Sequence, residues 1–425
     1  MIEETSSDRT RAWVLHPDVK SNIGRKPARL ALIEAVALAE AMPQIDVHGA
    51  TVVPLLRPQA GLLFGKGKIE ELGVIFAKNK IELVLIDGPV SPVQQRNLEK
   101  NWSVKILDRT GLILEIFSDR AATREGVMQV EMAALTYQRT RLVKAWTHLE
   151  RQRGGLGFVG GPGETQIEAD RRAIDLQLYK LRQQLAKVVK TRTLHRSSRS
   201  KVPYPIVALV GYTNSGKSTL FNRLTGAKVL AKDMLFATLD PCMRAIRTKN
   251  GTKIILSDTV GFVSDLPTEL VAAFRATLEE VLSADIILHV RDIAHEATQE
   301  QSSDVNSILE KLGIDENIPF LEIWNKTDLL SNEEQEFLIN QSKRNKKVYM
   351  LSATTGKGLE IISDALEEIL AVGSFEDVIF LSHNEGKKRA WLYAQGVVTQ
   401  EETFENGINL GIFWSARQKS QFVSI

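Results

Sequence analysis

The residues best suited to chemistry lie between Gly211 and Thr219, where the chain reads Gly-Tyr-Thr-Asn-Ser-Gly-Lys-Ser-Thr after the apolar run Ile206–Val210. A strand, a glycine-bounded turn and then Lys-Ser opening a helix is the G-x-x-x-x-G-K-[ST] phosphate loop in its required context. Glycine lets the backbone curl so that the N–H groups of Gly211, Tyr212, Thr213, Asn214, Ser215 and Gly216 face phosphate oxygens. Lys217 adds a cation for the β and γ phosphates, and Ser218 offers a hydroxyl to Mg²⁺. The helix that follows the loop presents its positive end to the same anion.

Three further short motifs follow, each after an apolar run. Asp258-Thr259-Val260-Gly261 places a carboxylate where it can hold Mg²⁺ through water, and a glycine amide where no side chain bars the γ-phosphate. Asn325-Lys326-Thr327-Asp328 carries a carboxylate able to accept from guanine's ring N–H and exocyclic amine; adenine lacks that pair of donors. Ser352-Ala353-Thr354 can close over the base with backbone amides. Four motifs in this order at strand ends match where open α/β sheets bind ligands. The reading is a GTP site whose product is GDP. Phe236-Ala237-Thr238-Leu239-Asp240 lies where a mobile switch segment belongs, and the Thr238 hydroxyl can complete Mg²⁺ coordination only when the γ-phosphate is present. Lys217, Thr238 and Gly261 are thus expected to act on the reacting phosphate, with Ser218 and Thr238 as the metal-contacting hydroxyls. Phe262 stands where Ras-like proteins carry a water-orienting glutamine. An apolar side chain cannot do that job, so intrinsic turnover should be slow and an outside activator is expected. Asn214 is a candidate to help hold K⁺, or else only shapes the turn.

The elements that must position these residues run through a chain of 425 residues, 43% hydrophobic and 25% charged, which suits several globular domains. An α/β organisation is expected throughout. Residues 1–120 alternate helix and strand as a small, mostly parallel domain, although the first 25 or so carry no recognisable signal. Strands are expected near 46–53, 83–87 and 104–108, with helices over 28–42, 69–78 and 92–100. Residues 121–200 show two amphipathic runs, Met128 to Leu149 and Ile174 to Val188, flanking the glycine-rich Gly154–Gly163. They read as an antiparallel helical hairpin with a glycine-rich loop at its tip. Residues 201–372 form the nucleotide domain. Residues 373–425 form a small α+β module, with strands expected over 391–398 and 407–413. One cysteine, Cys242, excludes a disulfide framework and a cysteine metal site. The acidic, polar start is no secretory signal, and no apolar run approaches the ~18 residues of a membrane helix. A cytoplasmic protein is therefore expected. The net charge of +2 does not advertise nucleic acid, but Arg139 to Lys201 is locally basic. Arg139, Arg141, Lys144, Arg151, Arg153, Arg171 and Arg172 surround the loop, as phosphate contacts require. Phe158 is placed to stack on exposed bases; Trp146 can do so too, but it lies on the apolar seam and suits a core position better.

The stretches GYTNSGKSTLFN, DMLFATLDP and DTVGF, together with Trp146 to Gly157, Gly161 to Gln166 and Asp170 to Arg172, resemble the HflX family of ribosome-associated GTPases. Pro92 to Asp119 resembles that family's N-terminal domain. The resemblance is close over residues 55–290 and loose elsewhere; Cys242 stands where a threonine is expected. It implies GTP hydrolysis with Mg²⁺, a monomer in solution, and association with the large (50S) ribosomal subunit and its rRNA, with no DNA partner. It further implies splitting or rescue of stalled ribosomes, or assembly, with the hairpin reaching rRNA. Two other readings are a regulatory GTPase acting on a protein or membrane partner without RNA contact, and a passive RNA-binding factor whose nucleotide domain has decayed. The intact Lys217, Ser218, Asp258 and Asp328 argue against the last.

Overall fold

The computed structural model describes residues 9–21, 27–152, 162–199, 204–227, 235–236, 238, 242–249, 251–264, 281–315, 317–345, 347–371 and 374–423. The chain divides into two compact units, and the division is not contiguous in sequence. Residues up to 188 gather residues 232–240 and 263–276 to themselves; residues 189–231, 241–262 and 277 onward form the second unit. The chain therefore passes from the second unit to the first between Phe262 and Val263.

The first unit begins with β1 (Thr10–Val19), α1 (Ala28–Glu40), β2 (Ile45–Leu55), α2 (Lys66–Asn79), β3 (Leu83–Ile86), α3 (Pro92–Trp102), β4 (Lys105–Asp108) and α4 (Arg109–Arg120). The sheet order is β2-β1-β3-β4 and every pairing is parallel. Strand β1 corrects the expectation of no signal near the start: it is an interior strand. Its charged Arg11 and Asp18 and its Pro17 hide the apolar alternation, yet Ala12, Val14 and Leu15 are buried. The Trp13 indole lies over Gly49, where a Cβ would stand 2.4 Å from the ring, and donates to Thr51 Oγ1 at 3.0 Å. Phe64, Leu72, Phe76, Leu98 and Trp102 pack behind the sheet, the Phe76 and Trp102 rings edge-on at 5.0 Å. Helix α3 is held at its start by Ser91 and Gln94 in a reciprocal capping box with Pro92 at the first position.

Two long helices follow, α5 (Arg124–Gln152) and α6 (Pro162–Arg199). The residues joining them, 153–161, lie outside the described residues, and with them Phe158 and all of the glycine-rich loop expected over Gly154–Gly163 except Pro162 and Gly163, which open α6. The Trp146 side chain is likewise not described. Leu178 and Leu181 are buried on the expected seam of α6; on α5 Met128 is buried but Met132 and Leu135 are half-buried, and Val130 and Ala133, off that seam, are buried as well. Arg139, which interrupts the apolar spacing of α5, pairs with Asp175 of α6 at 2.7 Å.

The second unit carries β5 (Ile206–Val210), α7 (Lys217–Thr225), β6 (Cys242–Arg247), β7 (Lys253–Asp258), β8 (Ile286–Asp292), α8 (Thr298–Leu312), β9 (Phe320–Asn325), α9 (Asn332–Ser342), β10 (Val348–Met350) and α10 (Leu359–Ala371). The six-stranded order is β10-β9-β8-β5-β7-β6, with only β6 antiparallel to its neighbour. Interior strands β5 and β8 are buried on both faces, which is why they read as near-continuous apolar runs. Val207, Leu209, Leu220, Phe221, Leu288 and Ile323 form the centre of this core.

The same unit ends with β11 (Ser374–Ser382), α11 (Gly386–Gln395), β12 (Val398–Phe404), β13 (Gly407–Ser415) and α12 (Ala416–Val423). The antiparallel order is β11-β13-β12. The strand expected from Trp391 is instead the end of α11, closed by Gly396 at φ 69°, and the strand begins only at Val398. Leu392, Leu410, Ile412 and Trp414 make this module's core.

Candidate functional site

The phosphate loop follows β5 and opens α7, as its spacing requires. Gly216 sits at φ 93°, and a Cβ there would stand 2.1 Å from Asn325 Nδ2. Gly261 is confined differently: a Cβ would meet Thr213 Cγ2 at 2.8 Å and Lys217 Nζ at 3.2 Å. Each glycine thus keeps two motifs in contact that any side chain would part. Asn214 is exposed at φ 58°, a left-handed conformation that asparagine tolerates better than most residues.

Lys217 is buried, with Nζ donating to the carbonyls of Gly211 at 3.0 Å and Tyr212 at 2.7 Å. Burial pushes its pKa down to about 8, against the pull of Asp258 in the other direction. The ammonium is therefore held where solvent does not stabilise it, and a polyanion would. Ser218 Oγ donates to Asp258 Oδ2 at 2.7 Å, and Asp258 is fully buried. A hydroxyl beside a carboxylate at the sheet's C-terminal edge is a hard-oxygen donor pair that fits Mg²⁺, whose other positions water and phosphate customarily fill. Among the described residues no cluster of three or more His, Cys, Asp or Glu could hold a metal by itself.

The loop after β7 is stitched to the phosphate loop by backbone. Thr213 N donates to Phe262 O at 2.7 Å, and Phe262 N to Gly211 O at 3.1 Å. The Phe262 side chain is buried in the core, so it presents nothing to a water. Thr259 Oγ1 donates to Leu209 O at 2.6 Å, anchoring this loop to β5; Val260 is buried beside it.

Asn325 joins three motifs at once. Its Nδ2 donates to Ser215 O at 2.8 Å, and its Oδ1 accepts from Ala353 N at 2.9 Å. Lys326 follows at φ 63°, its Nζ paired with Asp292 at 2.8 Å. A short 3₁₀ turn over Thr327–Leu329 then buries Thr327 and leaves Asp328 exposed. Ser352 Oγ accepts from Thr355 N at 3.1 Å and shapes the last loop, on which Thr354 is exposed. The structure thus brings together Gly211 to Thr219, Asp258 to Gly261, Asn325 to Asp328 and Ser352 to Thr354. Phe236 and Thr238 are buried in the first unit; Ala237, Leu239 and Asp240 lie outside the described residues. Sequence reasoning missed Asp292, the partner of Lys326, whose one signal was an acidic residue closing the apolar β8. It also missed His289 on the same strand, which burial pushes down to about 4 and so keeps neutral at pH 7.

A phosphate loop between β5 and α7, an Asp-x-x-Gly turn after β7 and an Asn-Lys-x-Asp turn after β9 define a P-loop GTPase. Sequence families described as "GTP-binding GTPase N-terminal", "GTP-binding GTPase Middle Region" and "50S ribosome-binding GTPase" match residues 30–118, 120–199 and 206–326. The chain is 46% identical to the GTPase HflX of Magnetococcus marinus over 84% of its own length and 82% of that protein's. It is 44% identical to the Escherichia coli GTPase HflX over 82% of each chain, and 38% identical to that of Caldanaerobacter subterraneus over 94% of each. The chain belongs to the HflX family of GTPases. Among the described residues no helix is long and apolar enough to cross a membrane.

Proposed function

We propose that this GTPase acts as a monomer on the large ribosomal subunit, contacting rRNA with the helical hairpin, in splitting or rescue of stalled ribosomes or in assembly. The match of residues 206–326 to a family described as 50S ribosome-binding carries the reading. The hairpin supports it: on α6, Arg171, Arg172, Lys180, Arg182 and Lys187 are exposed, as phosphate-facing cations must be. Arg141, one of the cations expected to surround the loop, is instead half-buried. It is held by Asp108 at 3.2 Å and Val90 O at 3.3 Å, and works as a strut near the middle of α5. The proposed nucleotide ligands are the four motifs above. Lys217, the Gly261 amide and Thr238 act at the γ-phosphate, and Ser218 and Thr238 are the protein's hydroxyls on Mg²⁺.

Adding purified large subunits should raise GTP turnover and bring the chain down with them in the presence of a non-hydrolysable GTP analogue. If those five cations meet RNA phosphates, the logarithm of affinity should fall against the logarithm of salt with a slope of about −3 or steeper. No stimulation together with no cosedimentation refutes the ribosomal reading; binding that ignores salt points to a protein partner instead.

Potassium belongs to the same proposal, with Asn214 helping to hold it against the phosphates. Hydrolysis should run several-fold faster in potassium than in sodium buffer. Equal rates would reduce Asn214 to its turn-shaping role.

A further inference from the structure

Helix α4 touches both segments that the first unit takes from the nucleotide domain's sequence. At its first residue, Arg109 Nη2 donates to Ser264 O at 2.9 Å and contacts Ser264 Oγ at 3.3 Å. Ser264 is three residues past Gly261. Two turns further along α4, the ring of Phe117 meets Phe236 edge-on at 4.7 Å and 76°. Phe236 precedes Thr238 by two residues and stands at φ 56°, uncommon for an aromatic side chain. Both rings are buried.

Arg109 is itself fixed from several sides. Its Nη1 donates to Asp87 Oδ1 at 2.5 Å, and its Nη2 pairs with Glu34 as well as with Ser264. Glu34 Oε1 accepts from Ser264 Oγ at 2.6 Å, which closes a triangle of Arg109, Glu34 and Ser264. Asp87 is braced in turn by His16 Nδ1 at 2.7 Å. The guanidinium is buried between two carboxylates at the C-terminal edge of the β2-β1-β3-β4 sheet. A planar fork with donors in fixed directions serves three acceptors at once; an ammonium on a flexible stem does not. An ion cluster this deep is a poor device for stability. It is a good one for holding a backbone carbonyl in one place.

The preceding residue extends the connection. Asp108 caps α4, accepting from Gly111 N at 2.9 Å, and also accepts from Tyr137 Oη at 2.6 Å and Arg141 Nη1 at 3.2 Å, both on α5. One dipeptide therefore grips Ser264 with one side chain and the middle of α5 with the other.

We infer that Arg109 is a positioning residue for GTP hydrolysis: through α4, with Phe117 at its other end, it sets where Ser264, three residues past Gly261, and Phe236, two residues before Thr238, stand. The inference rests on the GTPase activity of the family and not on the ribosomal reading. Neither Arg109 nor Phe117 belongs to the motifs that contact nucleotide, so their loss should change the chemical step and not ground-state binding.

The test is single-turnover GTP hydrolysis by the full chain with no ribosome present, alongside GDP affinity by equilibrium titration. Arg109→Ala and Phe117→Leu should each move the hydrolysis rate constant threefold or more while the GDP Kd stays within twofold. Arg109→Lys should fail to restore the parent rate, because one ammonium cannot replace the fork. Glu115→Ala, exposed on the same helix, should match the parent. Melting followed by circular dichroism checks folding, and if Arg109→Ala does not fold, the result is read on Arg109→Lys and Phe117→Leu. Rate constants within threefold of the parent in the folded variants overturn the inference, as does a loss of rate matched by an equal loss of GDP affinity.

Discussion

Replacing Lys217 by alanine will cut GTP hydrolysis by at least about 10²–10³-fold, the usual cost of removing one donor aimed at developing charge, without unfolding the protein. The second half of that expectation comes from burial. With its pKa pushed down to about 8 from 10.5, the folded chain disfavours the charged ammonium relative to the unfolded chain. Below pH 8 that charge costs the native state about 3 kcal/mol, since each tenfold change in proton affinity is worth ~1.4 kcal/mol. The sign follows from proton counts: between pH 8 and 10.5 the unfolded chain binds more protons at this residue, so its contribution to stability improves as pH rises through that window. Alanine removes the penalty along with the two carbonyl contacts, so the variant's Tm at pH 7 should equal or exceed the parent's. Saturating GDP with Mg²⁺ should then raise the parent's Tm and leave the variant's nearly unmoved. Phosphate bound near the ammonium favours its charged form, so the parent's affinity should weaken above pH 8, by up to about tenfold for each further pH unit. A variant that melts well below the parent, or that keeps a third of its activity, contradicts this account of Lys217.

How much of the fold and site is legible in the sequence depends on how local the cause is. The phosphate loop is legible because its requirement is written in nearby residues: Gly211 stands at φ 152° and Gly216 at φ 93°, and L side chains rarely adopt either without strain. The buried strands β5 and β8 are legible because both their faces are covered. Strands β6 and β1 are not: β6 is an edge strand with a weak apolar pattern, and the proline and charges of β1 conceal its interior position. At Trp391 the alternation of large side chains imitates a strand, while the burial of Leu392 and the left-handed Gly396 settle it as a helix. Arg109 shows the limit most plainly. Its partners Glu34, Asp87 and Ser264 lie 75, 22 and 155 residues away, and no pattern within a window links them. For the same reason the sequence presents Arg141 as a cation for RNA; only the fold shows that Asp108 holds it.

Changing Asp328 to asparagine will exchange guanine for xanthine as the preferred base. The carboxylate is offered by a turn that the rest of the site makes rigid: Asn325 is tied to Ser215 and Ala353, Lys326 is locked to Asp292, and Thr327 is buried. Asp328 itself is exposed, so its replacement should change folding stability by no more than about 0.5 kcal/mol. Binding is another matter. Guanine presents two neighbouring donors, the ring N–H and the exocyclic amine, and a charged acceptor pair is worth about 1.5–3 kcal/mol per hydrogen bond. Asparagine turns one of those acceptors into a donor, which leaves a donor facing a donor. GDP affinity should therefore fall by about 10²–10³-fold. Xanthine carries a carbonyl where guanine has the amine, so it meets the asparagine NH₂ with an acceptor and keeps the ring N–H for the amide oxygen. Xanthosine diphosphate should bind the variant more tightly than GDP does, and hydrolysis of xanthosine triphosphate should return. The competing view is that the base is held mainly by stacking and by the Ser352–Thr354 loop. On that view both nucleotides would bind the variant within tenfold of the parent's GDP affinity, and Asp328 would lose its place as the residue that reads guanine.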